Sequence, residues 1–461
     1  MNRTVKFTAF LLALIICIGV FVSCKKDEEK DNAKADETTV AETFTSAETN
    51  PDGSKLAGKD KKSGDFYYAY YEDGTATITN YAGNAEELKI PEALDGYTVT
   101  TIGEGSFYKT EKLKIIEIPS TVKYFETYAF YALPALEEIT VPETNTVIHE
   151  GTFVECAALK KVTLSSKTTH IKDGAFYLCA ALSEINLPDT LEHIGSYAFA
   201  GCTALKNINI PASVSVIASY AFSDCTGLES ITLPDTLSTI NAYAFNGCTA
   251  LKEIAIPSVI NNLKEGLLYG CSSLEKVSFS SNLKKISNAA FYGCAKLANI
   301  TIPDSVVIIQ DHAFAYCEAL KEITLPDSVE AFGAQIFIGC KALEKANIPA
   351  NISVVPAYTF GMCQSLTAID IPEGVSVIDE YAFLGCKKIT SLILPSAVAY
   401  IGQYAFAEME ALSDITIPAS VIEIDSNILD NCGENTVVKC YNGSFVQSYC
   451  AENEYKTELI G

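Results

Sequence analysis

The feature that most constrains this chain is a repeat of 23 residues. Steps of 23 from Phe107 land on Phe130, Phe153, Phe176, Phe199, Phe222 and Phe245, then on Leu268. They continue through Phe291, Phe314, Phe337, Phe360, Phe383 and Phe406 and end at Leu429. One insertion anywhere would have broken this register. A fixed period in this range predicts a solenoid, because each coil carries an apolar face that only its neighbours can cover. A Cys follows the Phe by three residues from Cys156 to Cys386, Met409 fills one slot, and Cys432 resumes the column. Leu stands six residues after the Phe, as at Leu159 and Leu182, and apolar residues stand at nine and eleven, as at Ile185 and Leu187. A Pro comes next, replaced by Ser165 and Ser280 in two coils, and then two more apolar sites such as Val214 and Ile217.

The stretch Leu-x-x-Ile-x-Leu-Pro ends in period-two alternation. It predicts one short strand per coil, stopped by a Pro that offers no N–H. The stretch Ser-Tyr-Ala-Phe-x-x-Cys predicts a tight turn or a single helical turn. About fourteen coils at the usual strand spacing of about 4.8 Å give a parallel sheet roughly 65–70 Å long. The repeats run over residues 107–431. The coil from Ser258 to Leu268, where Leu267-Leu268 replaces Ala-Phe, is expected to be a local kink.

Solenoid ends need caps. Residues 64–106 form the expected N-terminal cap: Phe66 to Tyr71 and Thr75 to Thr79 flank Glu72-Asp73-Gly74, a hairpin signal. The first coil carries five extra residues around Gly96-Tyr97-Thr98. Residues 432–461 form the expected C-terminal cap, with a last strand over 437–441 and a short helix over 444–453.

The pattern Ala-Phe-x-x-Cys-x-x-Leu-x-x-Ile-x-Ile-Pro at this period resembles the BspA-like (Treponema-type) leucine-rich repeat family, over about residues 64–461. The resemblance implies a curved leucine-rich repeat solenoid, displayed on the surface of bacteria or certain protozoa and used in adhesion or host-protein binding. It carries over no catalytic residue.

The start of the chain reads as an export signal over residues 1–23. Arg3 and Lys6 precede an apolar run from Phe7 to Val22, too short for a membrane span of about twenty residues. Phe21-Val22-Ser23-Cys24 resembles a lipobox, in which Cys24 becomes lipidated after cleavage, although Phe21 stands where Leu is usual. The alternative is an ordinary signal cut nearby. Cys17 is a poor substitute because Ile16 precedes it. Residues 24–63 then read as a disordered, charged tether, with eight Lys facing ten Asp or Glu from residue 25 onward and few large apolar residues.

Composition narrows the chemistry. Lys and Arg total 33 and Asp and Glu 57, a formal charge of −24, which argues against binding a phosphate backbone. The chain contains no Walker-type phosphate loop, no Gly-x-Ser-x-Gly and no His-Glu-x-x-His. Nothing singles out a carboxylate pair for glycosidase work. Only four His are present. His170 and His193 lie one period apart, but no third ligand is evident, and solvent-facing coincidence is the better reading. The Cys column reads as a buried ladder whose weak S–H donors touch backbone carbonyls, not as zinc ligands, since one side chain per coil points in parallel rather than converging. Cys440 and Cys450 lie off this ladder and are candidates for one disulfide.

No catalytic, metal or cofactor site is expected. Candidate ligand residues are Tyr197, Tyr220 and Tyr243, and then Tyr358, Tyr381 and Tyr404, each just before Ala-Phe or its equivalent. Bracing of the Phe column is the plainer role for these rings; an aromatic contact surface is the functional one. Outward strand positions such as Asn186, Asn209, Thr232, Ser278, Thr301, Thr324 and Asn347 suggest a soluble face rich in hydrogen-bonding groups. The expected function is therefore a lipid-anchored surface protein, not an enzyme, binding a host or envelope protein or glycan. The alternative is a structural envelope protein without a specific ligand site.

Overall fold

The computed structural model describes residues 48–460. The expected signal segment, Cys24 and the first part of the tether lie outside the described residues. From Thr49 onward the chain forms one body, a parallel β-solenoid of about 17 turns. The repeats account for fourteen intervals, and strands in the two caps extend the stack.

Most coils contribute to two ladders, not one; between Asn299 and Lys345 the first ladder is reduced to isolated bridges, and the coil of Phe360 contributes only to the second. The expected strand is present, for example Lys161–Thr163, pairing in register with Glu138–Thr140 and Glu184–Ile185. Its middle residue is buried and its flanking residues are exposed. A second, two-residue strand follows the Pro turn. His170–Ile171 pairs with Val147–Ile148 and His193–Ile194. Sequence reading took these second positions only as apolar sites. Their shared feature is an apolar second residue, most often Ile, as in Val216–Ile217.

The core is a set of columns. Phe rings stack from Phe107 to Phe245 at 5.3–5.8 Å between centroids. They resume from Phe291 to Phe406 over the same spacing. All these Phe residues are fully buried, as is Leu268 in the gap. Tyr81 from the N-terminal cap stacks on Phe107 at 5.4 Å and starts the column.

The turn carrying each Phe is neither helical nor ordinary. Two residues per coil sit in the left-handed region, one two places before the Phe and one two places after it. The first row includes Tyr128, Gly151, Tyr197, Tyr220, Gly266 and Ala289; the second includes Glu155, Leu178, Gly201 and Asp224. The N–H groups of these residues and of the Phe reach the next coil, as in Tyr197 N to Ser219 O at 3.1 Å, Phe199 N to Ala221 O at 2.8 Å and Gly201 N to Ser223 O at 2.8 Å. The geometry thus satisfies backbone donors between coils.

The folded body starts earlier than expected, at Thr49 and not at residue 64. Leu56–Ser63 is a strand, antiparallel to Phe66–Tyr71. Asn50 is buried and its side-chain amide donates to Asp73 and Thr75. Asp52 takes a 2.6 Å hydrogen bond from the Tyr124 hydroxyl and an ion pair from Lys123 at 3.1 Å. Composition misleads here because a sheet-edge strand leaves its Lys side chains in water, while the aromatic Phe66–Tyr71 strand supplies the partner surface. The Glu72-Asp73-Gly74 hairpin forms as expected. The extra residues of the first coil make a tight hairpin between Ala93–Leu94 and Tyr97–Ile102. Tyr97–Ile102 then pairs with Tyr124–Phe125 and joins the cap to the solenoid.

At the other end Val437–Cys440 extends the longer-strand ladder. The helix Phe445–Glu452 follows, with the Ser444 hydroxyl accepting from Gln447 N as its N-cap. Lys456–Leu459 then adds a further parallel strand that sequence reading missed. Its four residues are all exposed, so no alternation marks it.

Candidate functional site

The outward row of the longer-strand ladder is the broadest candidate. Asn186, Asn209, Thr232, Ser278, Thr301 and Thr324 are all exposed. Asn347 departs from the row. Its side chain turns back to accept from Leu325 N at 2.7 Å and donate to Leu325 O at 2.8 Å, standing in for ladder bonds. Ile393 lies in the same row and is 70% exposed, an apolar residue among polar neighbours. Ion pairs between adjacent coils border the ladder, such as Lys160–Glu137 at 2.8 Å and Lys252–Glu229 at 2.9 Å. They are exposed and worth at most about 1 kcal/mol each. A shallow depression of about 90 Å³ opens between Lys161 to Leu164 and Glu184 to Asn186. That is well below the roughly 300 Å³ at which small-molecule pockets begin.

The Tyr rows are arranged differently from a contact platform. Tyr197, Tyr220 and Tyr243 stack almost parallel, at 4.8 and 5.0 Å. Tyr358, Tyr381 and Tyr404 do the same at 4.5 and 5.2 Å. Tyr220 and Tyr381 are therefore covered on both faces. The outer face of Tyr243 lies on Gly266, where an added Cβ would stand 2.1 Å from the ring. What these rows present to solvent is a rim of ring edges and hydroxyls. Some of that rim is engaged: Tyr243 donates to Glu265 at 3.0 Å, and Asn427 donates to the Tyr404 oxygen at 2.8 Å. All six residues are half-buried and left-handed.

The Cys ladder is a hydrogen-bonded core column. Each thiol donates to the carbonyl of the Phe position one coil back, as in Cys225 to Phe199 at 3.1 Å and Cys294 to Leu268 at 3.3 Å. Burial raises these thiols; Cys225 is pushed up to about 12. They are poor nucleophiles and poor metal ligands, since the thiolate performs both tasks. Cys440 and Cys450 are both free and buried.

His170 and His193 stand side by side, with ring centroids 6.0 Å apart. The His170 Nδ1 lies 2.9 Å from the Thr169 hydroxyl. Burial and the neighbouring His170 and Lys172 hold His193 below the usual imidazole range. Among the described residues no three His, Cys, Asp or Glu side chains are grouped to hold a metal ion. No helix among them is long and apolar enough to cross a membrane.

Comparison with known proteins gives a consistent result. A family model described as the BspA type leucine rich repeat region matches residues 79–206, 192–321, 284–397 and 307–436. The structure is similar to a leucine-rich repeat protein from Bacteroides ovatus, with a TM-score of 0.70 and 29% identity, covering 87% of this chain and all of the other. It is also similar to a leucine rich cell surface protein from Faecalibacterium prausnitzii, with a TM-score of 0.52 and 29% identity, covering 80% of this chain and 95% of that one. No curated protein matches significantly.

Proposed function

Because the chain belongs to the BspA-type leucine-rich repeat family, we propose that it is a non-enzymatic binding scaffold of the bacterial cell surface, held by a lipid on Cys24. The observation that carries this reading is the exposed outward row of the longer-strand ladder. It sets hydrogen-bonding side chains one coil apart, at about 4.8 Å, over many coils. Such a row matches the repeat of an extended protein or glycan chain better than a compact ligand. The small depression at Lys161 to Asn186 supports the same reading. The surface location draws support from the Faecalibacterium relative, which is described as a cell surface protein. The two Tyr rows enter this reading as rims of hydroxyls and ring edges, not as ring platforms. The exposed Ile393 supplies an apolar contact within the row.

The test is binding of the intact protein in detergent to a panel of matrix proteins and envelope glycans. It is repeated with Asn209→Arg and Thr232→Arg combined, and separately with Tyr197, Tyr220 and Tyr243 changed to Ser. The ladder variant is expected to keep its melting temperature and lose at least tenfold in affinity. The Tyr variant is expected to lose stability first. Binding indifferent to the ladder variant would remove the face from consideration. Absence of any binding partner in the panel would favour a structural envelope role.

A further inference from the structure

The N-terminal cap contains a cluster that the solenoid does not need. The ammonium of Lys61 lies near three Tyr rings, with centroids 5.9 Å away for Tyr68, 5.1 Å for Tyr70 and 5.2 Å for Tyr97, and it donates a hydrogen bond to the Tyr68 hydroxyl. The rings belong to two different strands, Phe66–Tyr71 and Tyr97–Ile102. Their mutual separations are 4.6 Å for Tyr70 and Tyr97, and 6.3 Å from Tyr68 to each. Tyr68 is fully buried, whereas Tyr70 and Tyr97 are half-buried and Lys61 is exposed. The cluster therefore has a closed floor and an open mouth. Asp95 fixes one wall by accepting from the Tyr68 hydroxyl and the Ser63 hydroxyl, each at 2.8 Å. These bonds hold its carboxyl below the usual range, so the wall carries a negative charge.

Three aromatic walls and a carboxylate make a site for a cation. The distances decide which cation. In a quaternary ammonium, a methyl carbon lies about 1.5 Å from the nitrogen and meets a ring carbon at about 3.5–4.0 Å. Its nitrogen therefore rests about 5.0–5.5 Å from each ring. Lys61 Nζ sits at 5.1 Å from Tyr70 and 5.2 Å from Tyr97 with no methyl groups to fill that shell, while its 5.9 Å from the Tyr68 ring is set by the hydrogen bond to the Tyr68 hydroxyl. The cage is wider than a primary ammonium fills.

We propose that Tyr68, Tyr70, Tyr97 and Asp95 form a site for a trimethylammonium group, and that Lys61 occupies it in cis as a weak competitor. Lys61 is suited to yield. It lies on a sheet-edge strand whose pairing shifts register twice between Leu56 and Lys61. The residue before it, Asp60, is left-handed. The site stands apart from the outward ladder row, so it stands or falls independently of the binding face proposed above.

The test is saturation-transfer NMR on the intact protein in detergent, reading the methyl protons of choline, with ethanolamine as the primary-ammonium comparator. Lys61→Ala is expected to bind choline at least tenfold more tightly than wild type and to prefer it over ethanolamine. Lys62→Ala, whose ammonium stands over Tyr67 instead, is expected to behave as wild type. Adding Tyr97→Leu, or separately Tyr70→Ser, to Lys61→Ala is expected to abolish binding, with melting curves showing that each variant folds. Glycerophosphocholine distinguishes the source: tighter binding than choline points to a lipid headgroup, and weaker binding to a free quaternary amine. Absence of choline saturation in Lys61→Ala would overturn the site, as would equal binding of choline and ethanolamine. Equal choline affinity in wild type and Lys61→Ala would overturn the competition by Lys61.

Discussion

At the scale of single residues, the Cys column shows how a reactive group becomes packing material. Twelve positions donate S–H to a carbonyl and lie among Phe and Leu, eleven of them fully buried. The pH consequence follows from linkage. An unfolded thiol titrates near 9, whereas folded Cys225 is pushed up to about 12. The folded state then holds a proton that the unfolded state releases, so stability is complete below about pH 9 and declines as pH rises toward 12. Within that window each such thiol costs about 1.4 kcal/mol per pH unit. Cys225→Ala should cost about 1 kcal/mol at pH 8. It should also lessen the loss between pH 9 and 10 by about that linkage increment, as measured by denaturant unfolding of both proteins. Equal alkaline loss in the two would contradict this account. The Tyr rows carry the opposite lesson. A left-handed Tyr costs about 1–2 kcal/mol relative to Gly, and a stacked pair returns about 0.5–1.5. Stacking therefore offsets much of that cost, and the hydrogen bonds between coils hold the conformation.

At the scale of elements, the junction between the Phe245 and Leu268 coils combines two interruptions. The Phe column is interrupted there, since Leu268 sits between Phe245 and Phe291. The shorter-strand ladder also stops at Thr239–Ile240 and restarts at Asn262–Leu263. Turn bonds such as Tyr243 N to Glu265 O at 2.9 Å still cross the gap. A second ladder break, between Ala331–Phe332 and Val354–Val355, has a local cause. Pro356 stands where Gly333 donates to Ile309 O, and it has no N–H to give. There the Phe column continues, with Phe337 and Phe360 5.6 Å apart. Local opening follows where few cooperative contacts hold. Amides of residues 258–268 should exchange faster than their equivalents in other coils. Leu268→Phe should slow them and add about 0.5–1.5 kcal/mol of stability. Uniform exchange along the repeats would refute the weak junction.

At the scale of the whole molecule, function depends on where the body is held. The folded body begins at Thr49, not at residue 64. Any spacer between Cys24 and the solenoid is therefore shorter than the sequence suggested, by about fifteen residues or roughly 50 Å of extended chain. Cys24→Ala should leave the protein uncleaved or release it in soluble form. Mass spectrometry of the N-terminus and detergent partitioning are the measurements. Identical partitioning of wild type and variant, with no lipid mass on Cys24, would dismiss the anchor.

The 23-residue period alone determined the solenoid, the Phe and Cys columns and the outward polar row, because each depends only on a side chain recurring at one place in every coil. It could not reveal the left-handed pair flanking each Phe, since Tyr, Leu, Asp, Ala and Gly all occupy those places and only about a third are Gly. The conformation is imposed by hydrogen bonding between coils, and the residue is merely tolerated. Nor could it show that the Tyr rings cover one another, because stacking depends on ring orientation and not on spacing. The strand at Leu56–Ser63 and its Lys61 cage were illegible for a related reason. Read along the chain, four Lys in nine residues mean solvation. Only the tertiary structure sets Lys61 against Tyr68, Tyr70 and Tyr97, where its charge meets three rings contributed by residues up to 36 positions away.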